Sequence, residues 1–170
     1  KNVINKAIEL NRAGTDCQLA IETSGHAALQ ENYFLDDGAY LAAKIVIRAA
    51  RLKQEGKPIS SVLADLEDPA DEKEVRIPIK TEDFGAYGDQ VLSDLKDWVK
   101  TQDGMTLTEP NYEGVRIDFG DGWCLLRKSL HDPILPMNMA SDEAGGCQAI
   151  EKVMKGFLKQ YEKLELEGVL

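Results

Sequence analysis

The sequence predicts an α/β segment followed by a separate α+β domain, and three observations predict it. Residues 2–66 place two helical apolar patterns around one short apolar run. The acidic, proline-containing stretch Glu67-Asp-Pro-Ala-Asp-Glu72 then breaks the pattern and sets a boundary, with one domain at 1–66 and another at 73–170. Beyond it the order strand, helix, three strands, helix predicts an antiparallel four-stranded sheet with both helices on one face.

Each element follows from its residues. Val3, Ile4, Ala7, Ile8 and Leu10 recur at helical spacing from Asn2 to Ala13, and Gly14 stands where a helix stops. The apolar run to Ile21 reads as a buried strand. Asp37 is placed to cap a long helix carrying Leu41, Ile45, Val46, Ala49 and Leu52, which ends near Gly56 because Pro58 follows. Ser60 begins a short helix through Leu66. In the second half, Glu74 to Lys80 alternates Val75, Ile77 and Ile79 with polar residues and Pro78, which predicts a half-buried edge strand. Tyr87 to Thr101 is an amphipathic helix with Val91, Leu92, Leu95, Trp98 and Val99 on its apolar side. Met105 to Thr108 is a weaker strand pattern. Gly120-Asp121-Gly122 joins strands Gly114 to Phe119 and Trp123 to Lys128 as a hairpin. A strand over Ile134 to Ala140 and a helix over Cys147 to Leu164, burying Ile150, Val153, Met154, Phe157, Leu158 and Tyr161, complete the chain.

Composition narrows the function. The 170 residues are 43% hydrophobic and 29% charged, with no apolar run long enough for a membrane helix and no basic-flanked amino-terminal signal. A formal charge of −10 argues against nucleic acid, which needs a basic face to displace counterions. Cys17, Cys124 and Cys147 lack metal-ligand spacing and read as reduced thiols of a cytoplasmic protein. The start at Lys1, inside a helical pattern and without methionine, is what a piece of a longer chain would show.

Two stretches carry chemistry. Leu19-Ala20-Ile21 ends abruptly in Glu22-Thr23-Ser24-Gly25-His26, polar groups placed where α/β sheets bind ligands. Glu22 can accept hydrogen bonds from a polyol, Ser24 can give or accept one, and His26 can move a proton near neutral pH. On these five residues alone, a strand-ending turn is an equally good reading. The second stretch is Arg127-Lys128-Ser129-Leu130-His131-Asp132-Pro133, a cationic loop in an acidic chain. Arginine offers phosphate a two-pronged donor, and Ser129 adds a hydroxyl. Alone, this loop too reads as an ordinary strand end and turn.

The run from Ile21 to Lys44 resembles the α-D-phosphohexomutase superfamily, and within it the phosphomannomutase/phosphoglucomutase group. That family carries a Glu-x-Ser-Gly-His loop on the third of four domains, followed by an aromatic stretch, an Asp-Gly pair and a helix. Here the same order is Glu22 to His26, Tyr33-Phe34, Asp37-Gly38 and the helix after it. The family's fourth domain carries Arg-x-Ser-Asn-Thr-x-Pro, matched by Arg127, Ser129 and Pro133, while Leu130 and His131 replace the asparagine and threonine.

The resemblance implies the latter part of an α/β/α three-layer third domain over 1–66, then a fourth domain of TATA-binding-protein-like fold. It implies interconversion of hexose 1-phosphate and 6-phosphate through a phosphoserine and a bisphosphate intermediate. Glu22 and Ser24 are then expected to hold sugar hydroxyls, and His26 to move protons at the reacting hydroxyl. Arg127, Ser129, Lys128 and His131 are expected at the phosphate that is not transferred. The family's Thr-Ala-Ser-His-Asn and Asp-Gly-Asp-Gly-Asp-Arg loops do not occur here. The catalytic serine, the Mg2+ ligands and the remaining domains are therefore expected on other parts of the same polypeptide, with a hexose 1,6-bisphosphate as activator. A phosphoglucosamine mutase fragment is the nearest alternative, although Thr23 is not that group's usual glutamine or proline. A non-catalytic protein-interaction module is the alternative of another class.

Overall fold

The computed structural model describes every residue except Lys1, Thr23, Ser24, Tyr112 and Leu130. The chain forms two compact units, Lys1–Leu66 and Glu67–Leu170.

The first unit contains α1 (Asn2–Arg12), a hairpin of β1 (Leu19–Ile21) and β2 (Ala27–Leu29), and α2 (Gly38–Gln54). Single 3-10 turns occupy Gln30–Asn32 and Ile59–Leu63, the second in place of the helix expected over Ser60 to Leu66. Asp37 caps α2 as its position predicts, its carboxylate accepting from the Tyr40 amide at 2.9 Å. Basic Arg51 and Lys53 in the last turn complement the negative end of the helix dipole. The core is thin: Ala7, Ala20, Ala27, Ala28 and Leu52 are buried. The run expected to be a buried strand is only a three-residue half-hairpin in which Leu19 and Ile21 are exposed and Ala20 alone is buried. Ile45 and Val46, expected on the core side of α2, are exposed as well.

The second unit is a five-stranded antiparallel sheet in the order β3-β7-β6-β5-β4, where four strands were expected. Its strands are β3 (Asp71–Pro78), β4 (Thr106–Leu107), β5 (Val115–Asp118), β6 (Gly122–Leu126) and β7 (Ile134–Ser141). The fifth strand, β4, is two residues long, lies inside the weaker pattern at Met105 to Thr108, and pairs with the outer edge of β5. β3 starts at Asp71, inside the expected connector, because its pairing with β7 continues to Asp71 opposite Ser141. Pro78 lies on an edge strand, where its missing N–H costs no ladder bond.

The helices α3 (Phe84–Val99) and α4 (Gly146–Leu158) pack on one face. Val75, Ile77, Val115, Ile117, Leu126, Leu135 and Met137 meet Val91, Leu95, Val99, Met154 and Leu158 in one core. Each such side chain contributes about 1.5–3 kcal/mol by leaving water. Rings tie α3 to α4 and the segment after it, Trp98 to Phe157 at 5.0 Å and Tyr87 to Tyr161 at 6.2 Å between centroids. α4 stops at Leu158 where the pattern predicted Leu164, and the segment after it folds back on β3. There Lys80 N–H donates to the Lys163 carbonyl and Glu165 N–H to that of Pro78. Val153, expected inward, is 37% exposed, on the flank of the stripe that runs through Ile150, Met154 and Phe157.

Strand alternation leaves the opposite face uncovered by helices. It carries Glu74, Arg76, Arg116, Asp118, Trp123, Leu125, Pro136 and Asn138, whose neighbours along each strand point into the core.

Candidate functional site

The first polar stretch is the turn of the β1–β2 hairpin rather than the free end of a long strand. Glu22 N–H donates to the His26 carbonyl and Gly25 N–H to that of Glu22, both at 2.9 Å. Gly25 adopts φ +90°, which a residue with a Cβ takes only under strain. His26 is exposed, and its Nδ1 lies 2.9 Å from the Asp36 carboxylate. A carboxylate only accepts, so Nδ1 carries the proton and Nε2 keeps the ring's lone pair. Asp36 is held at that place by its bridge to Ala28. The sequence reading used Asp37 as the cap; the clue to Asp36 was that one cap needs only one carboxylate. Asp37 itself sits below the ordinary carboxylate range, first because of the Tyr40 amide and also through Asn32. Ser24 lies outside the described residues.

The second stretch connects β6 to β7. Arg127 continues the alternation of β6 and stands on the open face, its N–H bonded to the Pro136 carbonyl at 3.0 Å. Ser129 Oγ accepts from the amides of Asp132 at 3.1 Å and His131 at 3.4 Å, and Ser129 N–H donates to Ile134 O at 3.2 Å. The hydroxyl therefore folds the loop while keeping its own proton as a donor. His131 is exposed.

Lys128 turns the other way. Its ammonium is 2.6 Å from the Asp89 carboxylate and 3.2 Å from the Gly85 carbonyl on α3, and the side chain is only 22% exposed. Its stem lies over Gly88, where a Cβ would meet Lys128 Cδ at 3.0 Å. Sequence reasoning grouped Lys128 with the phosphate donors; the structure gives it α3 as partner and makes it a strut beneath the loop. Gly114 keeps the other side close. It takes φ +68°, and a Cβ there would stand 2.3 Å from the Leu126 carbonyl and 2.8 Å from Arg127 Cβ.

The open face adds residues that the sequence reading took as plain strand positions. Glu74 accepts from Arg76 Nε at 2.8 Å and from Asn138 Nδ2 at 3.1 Å. Its carboxyl is held below the usual range, chiefly by the Arg76 bond, next by that of Asn138, with the charge of Arg127 adding to it. Farther from the loop, Arg116 stacks over the Trp123 ring at 4.1 Å beside an open cleft of about 400 Å³ lined also by Glu72, Asp118 and Asp142.

Among the described residues, no group of three or more His, Cys, Asp or Glu side chains can hold a metal ion. Among them, no helix is long and apolar enough to cross a membrane. Cys17, Cys124 and Cys147 are unpaired thiols.

Comparison with known proteins supplies the context. The chain is 29% identical over 150 residues to the phosphomannomutase/phosphoglucomutase of Pseudomonas putida, covering 87% of this chain and 30% of that protein. The same-named Pseudomonas aeruginosa protein is 29% identical over 147 residues, covering 85% and 29%. A phosphoglucomutase of Neisseria meningitidis is 27% identical over 151 residues, covering 88% and 31%.

The chain is a relative of the phosphohexomutases.

It spans about 30% of the length of the phosphohexomutases it matches. The fold agrees: a crystal structure of a phosphoglucomutase/phosphomannomutase family protein from Burkholderia thailandensis covers 97% of this chain and 31% of its own, with a TM-score of 0.69 at 21% identity. No family model matches the chain.

Proposed function

We propose that this chain is the carboxyl-terminal portion of a cytoplasmic phosphohexomutase that interconverts hexose 1-phosphate and hexose 6-phosphate, with mannose and glucose as the sugars. The observation that carries the reading is the presence of both polar loops, in family order, in one chain whose curated relatives are named phosphomannomutase/phosphoglucomutase or phosphoglucomutase.

In this reading the chain binds and orients. Glu22 and Ser24 accept and donate hydrogen bonds at the sugar hydroxyls. His26, its Nδ1 proton held by Asp36, exchanges a proton through Nε2 at the reacting hydroxyl. Arg127, the Ser129 hydroxyl and His131 hold the phosphate that is not transferred, and Lys128 supports their loop from α3. Fixing the sugar by hydroxyls at one end and phosphate at the other supplies the positioning on which phosphoryl transfer depends. The phosphoserine and the residues for Mg2+ belong to other parts of the polypeptide. The metal supplies charge neutralisation at the transferred phosphoryl group when bound. The isolated chain is inactive, and a hexose 1,6-bisphosphate is the activator of the whole enzyme.

The test is a titration of the chain with glucose 1-phosphate, mannose 1-phosphate and inorganic phosphate, following the ring signals of His26 and His131 by NMR. Phosphosugars are expected to move both signals and inorganic phosphate to move His131 alone. Two silent rings would overturn the binding roles, and mutase turnover by the chain with Mg2+ and bisphosphate would overturn its inactivity.

A further inference from the structure

A second arginine stands at the loop's end of the sheet. In register, Arg76 on β3 lies opposite Pro136 on β7, and Arg127 bonds to the same Pro136 from the β6 side. Burial of Val75 and Ile77 turns Arg76 to the open face, as burial of Leu126 does for Arg127. Strands two apart are separated by about 10 Å, a gap that two arginine side chains close from either side. Pro136, between the two arginines in register, is buried although it stands on the open face.

Arg76 is also held in place. Glu74, two residues earlier on the same face, takes its Nε at 2.8 Å, and Asn138 secures the other carboxylate oxygen at 3.1 Å. A guanidinium gripped at Nε presents its two terminal NH2 groups, the pair that meets a phosphate in two-pronged fashion. Arg127 is close enough for its charge to act on the same carboxylate. Arg116, by contrast, is engaged on the Trp123 ring.

We propose that Arg76 is a phosphate-binding residue, closing with Arg127 on one phosphate monoester across Pro136, with Glu74 and Asn138 as the scaffold that holds it. The proposal rests on the reading of the Arg127 loop as a phosphate site and adds a ligand from a distant part of the sequence. It also answers a deficit: where Leu130 and His131 replace polar family residues, a second guanidinium supplies donors.

The experiment is an NMR titration of the arginine-labelled chain with inorganic phosphate at constant ionic strength, reading the Nε–Hε signals and comparing Arg76→Gln and Arg127→Gln. Both arginine signals of the unsubstituted chain are expected to move together and saturate. Each substitution is expected to weaken phosphate binding about tenfold, the loss of one charge-assisted contact. Arg76 is a 70% exposed side chain, so its replacement leaves the fold intact. If Arg76→Gln binds as tightly as the unsubstituted chain while Arg127→Gln does not, the proposal falls and the loop reading stands. If neither signal of the unsubstituted chain moves, both fall.

Discussion

Gly114 has two separate reasons to be glycine, a positive φ and a carbonyl 2.3 Å from where a Cβ would sit. Gly114→Ala is expected to cost about 2 kcal/mol or more, read as a lower urea midpoint. The three thiols differ in a way reagents can see. Burial pushes Cys124 up to about 12, and burial, with Asp71 beside it, raises Cys147 as well. Thiolate is the reactive form, so at pH 8 only half-buried Cys17 should react promptly with a thiol reagent in the native chain, and all three in urea. Prompt labelling of Cys124 would show that the β6 face opens. Asp37 acts through its ionised form: its folded value lies below its ordinary 3.8, so its stabilisation is present above that pH and is lost as pH falls through the lowered value. Asp37→Ala is expected to lower the urea midpoint near neutrality, as loss of a helix cap does.

At the level of elements, the loop between β6 and β7 is braced on both sides, by Gly114 beside Arg127 and by α3 through Lys128. The sign of one substitution separates a brace from a simple field effect. Removing the Asp89 carboxylate makes the neighbourhood more positive, so electrostatics alone predicts tighter phosphate binding by Asp89→Ala. A brace predicts the reverse. We expect Asp89→Ala and Lys128→Met to weaken inorganic phosphate binding by similar factors, because each removes the same tie, and the double variant to be no weaker than either. Tighter binding by Asp89→Ala would remove the brace from the account. Arg127, Ser129 and Pro133 were legible as a group because they fall within one seven-residue stretch. Glu74, Arg76, Asn138 and Asp89 were not, because only strand register and helix packing bring them beside that loop.

At the scale of the whole molecule, the two units are unequally cored. The second buries large side chains such as Leu95, Ile117, Leu126, Leu135 and Met137, while the first buries alanines and Leu52. Burial energy scales with apolar area, so amide exchange over 2–66 is expected to be orders of magnitude faster than over β6, β7 and α4. Equal protection across the boundary would mean that the chain unfolds as one cooperative body.

By itself the sequence determined the helices and the long strands of the second unit, since each has a period that names its buried side: Val91, Leu95 and Val99 on α3, Val75 and Ile77 on β3. It also determined the Asp37 cap and the Gly120-Asp121-Gly122 turn, where local residue chemistry suffices. Tertiary structure alone decided that the weak pattern at Met105 to Thr108 joins the sheet, how the first unit is buried and which partners the site residues have. β4 exists because β5 offers it an edge, and Lys128 turns to α3 because the strand pleat points it there. His26 meets Asp36 because a hairpin and a bridge bring together residues ten apart. Periodicity reports which way a side chain faces, and only pairing between distant segments reports what it faces.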